Sequence, residues 1–97
     1  MKLKINVLDG SDTVAQLAHV GWGMGLVLLL ALAISWHHAA GVVACFALAK
    51  EVAEAEGWAF WEPKQSWASS RRDFYFWCGG IVIAAAALVL RAIITAI

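Results

Sequence analysis

The side chains of His19, Lys50, Glu51, Glu54 and Asp73 can hold a proton or a cation, and they stand in three separate stretches of the chain. Glu51 and Glu54 are three residues apart and share a face of any helix that contains them. Lys50 and Glu54 have the i, i+4 spacing at which opposite charges pair. An imidazole together with carboxylates suits a first-row divalent metal, whereas carboxylates alone suit Mg²⁺ or Ca²⁺. The same set could supply an acid/base pair, His19 with one carboxylate, working on a substrate at a membrane surface. It could equally be a salt-bridge and capping network, with Asp73 at a helix N-terminus and Lys50, Arg71 and Arg72 neutralising the acids. Each reading requires a fold that brings residues 19, 51, 54 and 73 together.

Composition indicates the solvent in which that fold forms. Of 97 residues, 63% are hydrophobic and 14% charged, with seven Lys/Arg balancing seven Asp/Glu. An ordinary soluble domain is roughly 45–50% apolar and about 25% charged. A chain this short leaves much of its surface exposed and could not cover so much apolar side chain. Disorder is excluded, as is a nucleic-acid binder that relies on excess positive charge. The partner implied is the lipid bilayer.

Residues 13–49 carry no formal charge apart from what His19, His37 and His38 can acquire. One helix of that length would run about 55 Å, nearly twice the hydrocarbon core. The run must fold back, and Ser35-Trp36-His37-His38 is its polar interruption. The pattern predicts helices over 17–36 and 39–56, a polar Trp-rich connector over 57–72, and a third helix over 74–97. The second is apolar only through Ala49, so it either crosses with Lys50 and Glu51 at the interface or lies there as a re-entrant segment. The expected architecture is an all-α integral membrane protein: a single domain with three transmembrane helices, a helical hairpin plus a third span, and an interfacial connector. Up, down and up again, its helices return His19, Glu51, Glu54 and Asp73 to one membrane face.

Trp22, Trp36, Trp58, Trp61, Trp67 and Trp77 fall near the predicted helix ends, as interfacial anchors do. Gly21 and Gly25 form a GxxxG pair on the first helix, and Gly79 smooths the third, so close packing or homo-oligomerisation is expected there. Lys2, Lys4, Lys50, Lys64, Arg71 and Arg72 share one side of a three-span chain and Arg91 takes the other. The positive-inside rule then puts the N-terminus in the cytoplasm and the C-terminus outside, in a bacterial inner membrane. The first apolar stretch is too long for a signal-peptide core and reads as an uncleaved span. Cys45 and Cys78 have no zinc-site spacing and read as small thiols packed between helices. His37 and His38 read as solvated turn residues.

Asp12 and His19 entering the first helix, Lys50-Glu51-x-x-Glu54 leaving the second, and Ser70-x-x-Asp73 with Gly79 entering the third resemble the small VanZ-like membrane proteins and their short phage and bacterial relatives. That resemblance implies a three-helix arrangement with a polar signature at one membrane face. Size and span count also resemble phage holins, which oligomerise and permeabilise the inner membrane. The function expected is non-catalytic: a small membrane module whose polar cluster organises helix packing and binds an ion or a lipid headgroup. A divalent cation is the cofactor such a cluster would take. The alternatives are a holin-like pore and a membrane-surface hydrolase of lipid phosphates.

Overall fold

A computed structural model describes residues 10–61 and 63–97, with side chains from Thr13 onward. Lys2 and Lys4, and the Asp12 side chain, lie outside the described residues. The fold is all-helical: α1 (Gly10–Leu30), α2 (Trp36–Glu56) and α3 (Trp67–Ala96). By length and composition α1 and α3 could each cross a membrane. α2 has 21 residues, but Lys50, Glu51, Glu54 and Glu56 crowd its last two turns.

The breaks fall a turn or two earlier than the apolar runs suggest. The backbone tightens after α1, with Leu32 N–H donating to Leu29 O at 3.2 Å and Ala33 N–H to Leu30 O at 2.9 Å. Ser35 then turns extended (φ −59°, ψ 148°), and its carbonyl accepts from Ala39 N–H at 2.9 Å. Ser35 is thus the break, while Trp36, His37 and His38 form the first turn of α2, all exposed. At the other connection Ser66 caps α3, its hydroxyl accepting from Ser69 N–H at 3.1 Å. The expected start at residue 74 is corrected, because the first two turns of α3 are polar and hydropathy alone reads them as loop. Asp73 is consequently buried in the second turn and does not cap the helix.

Between α2 and α3 the chain reverses through Gly57, whose φ of 83° is the left-handed conformation that favours glycine. Trp58 N–H reaches back to Ala53 O at 2.8 Å, closing a Schellman-type end. Gln65 N–H then donates to Glu54 O at 2.9 Å, which ties the far end of the connector to the end of α2.

Each helix buries a narrow stripe. On α2 the steps Ala39, Val43, Ala47 and Glu51 are four residues apart, so the row that packs the apolar core carries Glu51 inside with it. On α3 the spacing alternates three and four through Ser70, Asp73, Trp77, Gly80 and Ala84. On α1 the stripe holds Gln16, Gly23 and Val27. The apolar core is built from Val27, Ala39, Val43, Ala47, Trp77, Ile81 and Ala84. Its polar continuation lies at the end where α1 and α3 begin and α2 finishes.

The glycines that set the closest approach are Gly23 and Gly80. A Cβ on Gly80 would run into the Val20 carbonyl oxygen and come within 2.8 Å of the Met24 nitrogen; one on Gly23 would lie 2.5 Å from the Trp77 carbonyl oxygen. Gly21, Gly25 and Gly79, the expected packing positions, have open space where their side chains would be. Gly79 is turned about 100° from Gly80, and Gly21 and Gly25, two residues from Gly23, are turned about 200° from it, so all three face elsewhere. α1 and α3 accordingly make the most extensive contact, and α1 and α2 the least.

Candidate metal centre

Gln16, one turn ahead of His19 on α1, is 4% exposed, and its Nε2 donates to Asp73 Oδ1 at 2.8 Å. With that nitrogen committed, Gln16 Oε1 faces His19 Nδ1 at 3.0 Å and accepts its proton. The chain Asp73–Gln16–His19 therefore holds a proton on Nδ1, and in the neutral ring this leaves the lone pair on Nε2. Asp73 Oδ1 also lies 4.0 Å from His19 Nδ1 and 3.8 Å from Arg72 Nε. The His19 ring stands over Trp77, centroids 6.0 Å apart, and Trp77 in turn meets Phe46 edge-on at 6.0 Å.

Glu51 enters the same space from α2. It is 2% exposed, and neither carboxylate oxygen has a hydrogen-bond partner among the described residues. Its nearest opposite charge is Lys50 Nζ, 3.6 Å from Oε2. One ligand atom each from His19, Glu51 and Asp73 lies within 4.8 Å of the other two, so the three could hold a metal ion. Cis ligands 2.3–2.6 Å from a cation stand about 3.3–3.7 Å apart, so the three side chains would draw together by up to about 1.5 Å to hold one. Ser70 Oγ, one turn before Asp73, is also buried without a hydrogen-bond partner among the described residues. Burying polar groups unsatisfied costs about 1–3 kcal/mol each, which a bound ion or water would offset.

Glu54 belongs to a different device. Its carboxylate accepts from Lys50 Nζ at 2.7 Å, Trp61 Nε1 at 3.2 Å and Gln65 Nε2 at 2.9 Å. Gln65 Oε1 meanwhile accepts from the Ser69 hydroxyl at 3.1 Å. This saturated node fastens the connector to α2 and α3. Sequence spacing grouped Glu54 with the cation set; in the structure its oxygens are turned toward the connector and are fully occupied.

Two further expectations are corrected. Trp77 is not an interfacial anchor: it is 3% exposed and forms the floor between the polar cluster and the apolar core. Trp22, Trp36, Trp58, Trp61 and Trp67 are exposed, as anchors would be. Cys45 faces outward, and only Cys78 is partly covered; both thiols are free. Sequence spacing passed over Gln16, although its i, i+3 relation to His19 in an otherwise apolar run was a readable signal. Trp61 and Gln65, as partners of Glu54, gave no such signal, since they are joined to it by a loop.

Two openings adjoin the cluster. A groove of about 550 Å³ between α1 and α2 is lined by Ala15, Ala18, Trp22, Leu26 and Phe46, with His19 and Lys50 at its polar end. A pocket of about 180 Å³ between α2 and α3 is bordered by Glu51, Ser70 and Arg71 and reaches Glu51 from outside.

No protein-family model matches the chain, and no curated protein or solved structure is significantly similar to it.

Proposed function

We propose that the chain is a non-catalytic, three-span protein of a bacterial inner membrane whose polar cluster clamps the helices at one membrane face and binds a cation there. Membrane integration is supported by an inverted distribution of side chains. The interior is largely alanine, glycine and polar groups, while Leu17, Leu29, Leu32, Val82, Leu90 and Ile94 are more than half exposed. A soluble three-helix bundle would reverse this, because each large apolar side chain gains about 1.5–3 kcal/mol from leaving water. α2 joins the spans because Glu51 and Glu54 turn inward, where helices and connector meet them, and Lys50 bridges the two. His19, Glu51, Ser70 and Asp73, which carry the resemblance to VanZ-like proteins, fall in or beside this cluster, and that supports kinship with that family.

The observation that carries cation binding is Glu51, a deeply buried carboxylate without a hydrogen bond among the described residues, facing an imidazole and a second carboxylate. The test is unfolding of the purified protein in micelles with and without Mn²⁺, Zn²⁺ and Ca²⁺, for wild type and for Glu51→Gln and Asp73→Asn. At a hundredfold excess over Kd a ligand specific to the folded state adds about 2.7 kcal/mol. That gain is expected in wild type and lost in both variants; equal gains in all three proteins reject the site.

A second reading, a holin-like oligomer, is favoured by Gly21 and Gly25, whose open space on α1 would admit a neighbouring helix. It requires abrupt lysis at a reproducible time after induction. Normal growth with abundant protein in the membrane would reject it.

A further inference from the structure

We infer that the cation is a first-row divalent transition metal, and that Lys50 is the built-in competitor that sets its affinity; the inference rests on the cation-binding reading above. The donor set points to the metal class. Mg²⁺ dehydrates reluctantly and keeps several waters around oxygen ligands, while imidazole suits zinc, copper, iron and nickel. Here an imidazole whose tautomer is already fixed by Gln16 stands beside two buried carboxylates. Gln16 thereby plays the part of the outer partner that orients a metal-binding histidine. The pocket bordered by Glu51 and Ser70 offers the ion a way in and room for a water as a further ligand.

The role of Lys50 follows from its two unequal contacts. Its ammonium is 2.7 Å from Glu54 Oε2 and 3.6 Å from Glu51 Oε2. Glu54 holds it firmly and has two further donors of its own, whereas Lys50 reaches Glu51 only at the longer distance. An incoming dication therefore takes Glu51 from Lys50 without disturbing the connector node. It also has to sit near a fixed positive charge, which weakens binding. Around the cluster Lys50 and Arg72 face Glu51, Glu54 and Asp73, so with His19 neutral the net charge is −1, and a dication brings it to +1. Removing the lysine charge makes the bound state neutral.

The experiment uses Co²⁺ as a spectroscopic probe on the full chain in micelles, with Mg²⁺ as competitor. Expected for wild type is a visible Co²⁺ spectrum of a nitrogen-containing site that millimolar Mg²⁺ does not displace. His19→Gln should lose that spectrum and its preference over Mg²⁺ while the two carboxylates still bind either ion weakly. Lys50→Met should bind Co²⁺ at least about tenfold more tightly, since two like charges a few ångströms apart repel by more than that factor at a protein dielectric. Lys50→Gln, which keeps a donor for Glu54, replaces it if Lys50→Met does not fold. Displacement by equimolar Mg²⁺ overturns the metal class and leaves the cation site standing. Unchanged Co²⁺ affinity in a folded Lys50 variant overturns the competitor role. Absence of binding by every ion removes both this inference and the reading beneath it.

Discussion

Adding a single methyl group at the α1–α3 crossing should disturb both packing and the polar cluster. A Cβ at Gly23 would lie 2.5 Å from the Trp77 carbonyl oxygen, and ordinary contact begins near 3.4 Å, so α3 must recede by about 0.9 Å. Both sides of the contact are backbone, which cannot swing aside. A radial gap of that size forfeits a quarter to a half of the dispersion energy of the atoms it separates. Overpacking of this kind costs about 1–3 kcal/mol, against which alanine returns at most about 1 kcal/mol of helix propensity. Gly23→Ala and Gly80→Ala should therefore be destabilised, while Gly21→Ala and Gly25→Ala, with nothing within 4 Å, should be neutral or slightly more stable. The assay is denaturant unfolding in micelles followed by circular dichroism, with cation-induced stabilisation as a second readout. The recession would also stretch the 2.8 Å bond between Gln16 and Asp73, so the cation gain should fall in the same two variants. Equal losses at all four glycines, or losses confined to Gly21 and Gly25, would refute the reasoning.

Other perturbations isolate other parts. Glu54→Ala leaves Lys50, the Trp61 indole and the Gln65 amide without their shared acceptor; a loss of about 3–5 kcal/mol is expected, with faster proteolysis over residues 57–66 as the direct sign. Trp77→Phe removes an indole N–H that has no hydrogen-bond partner among the described residues and should cost under about 1.5 kcal/mol, whereas Trp77→Ala should cost about 3–5 kcal/mol by equilibrium unfolding. With Cys45 and Cys78 replaced by alanine, single cysteines at Ser35 and Lys64, on either side of α2, should be labelled by impermeant reagents from opposite sides of the membrane. Labelling from the same side would leave two spans and strand α2 at the interface.

The sequence revealed the helices through their apolar runs, and it revealed the convergence of residues 19, 51 and 73 through the parity of three antiparallel elements. Their ends were harder to read. Residues 67–73 look like loop because two serines, two arginines and an aspartate precede the apolar run, yet the Ser66 hydroxyl caps a helix through them. Which carboxylate joined the cluster was also hidden: Glu51 and Glu54 share a face, and only the returning connector, with Trp61 and Gln65, claims Glu54. The glycines show the same limit. A GxxxG spacing marks a smooth strip on α1, but the neighbour's register decides that Gly23, between its two members, makes the close contact.

The inverted interior determines where substitutions can accumulate. On the outside, leucine, isoleucine, valine and phenylalanine are interchangeable as far as the fold is concerned, so that surface is free to drift. At Gly23 and Gly80 nothing larger fits without parting the helices, and Ala39, Ala47 and Ala84 are fully buried, where added bulk is costly. Descendants of a common ancestor could therefore lose nearly all recognisable likeness along their greasy exterior. What they would continue to share is a sparse pattern of very small residues and a few inward polar ones, and a profile weighted toward that pattern is the instrument suited to finding them.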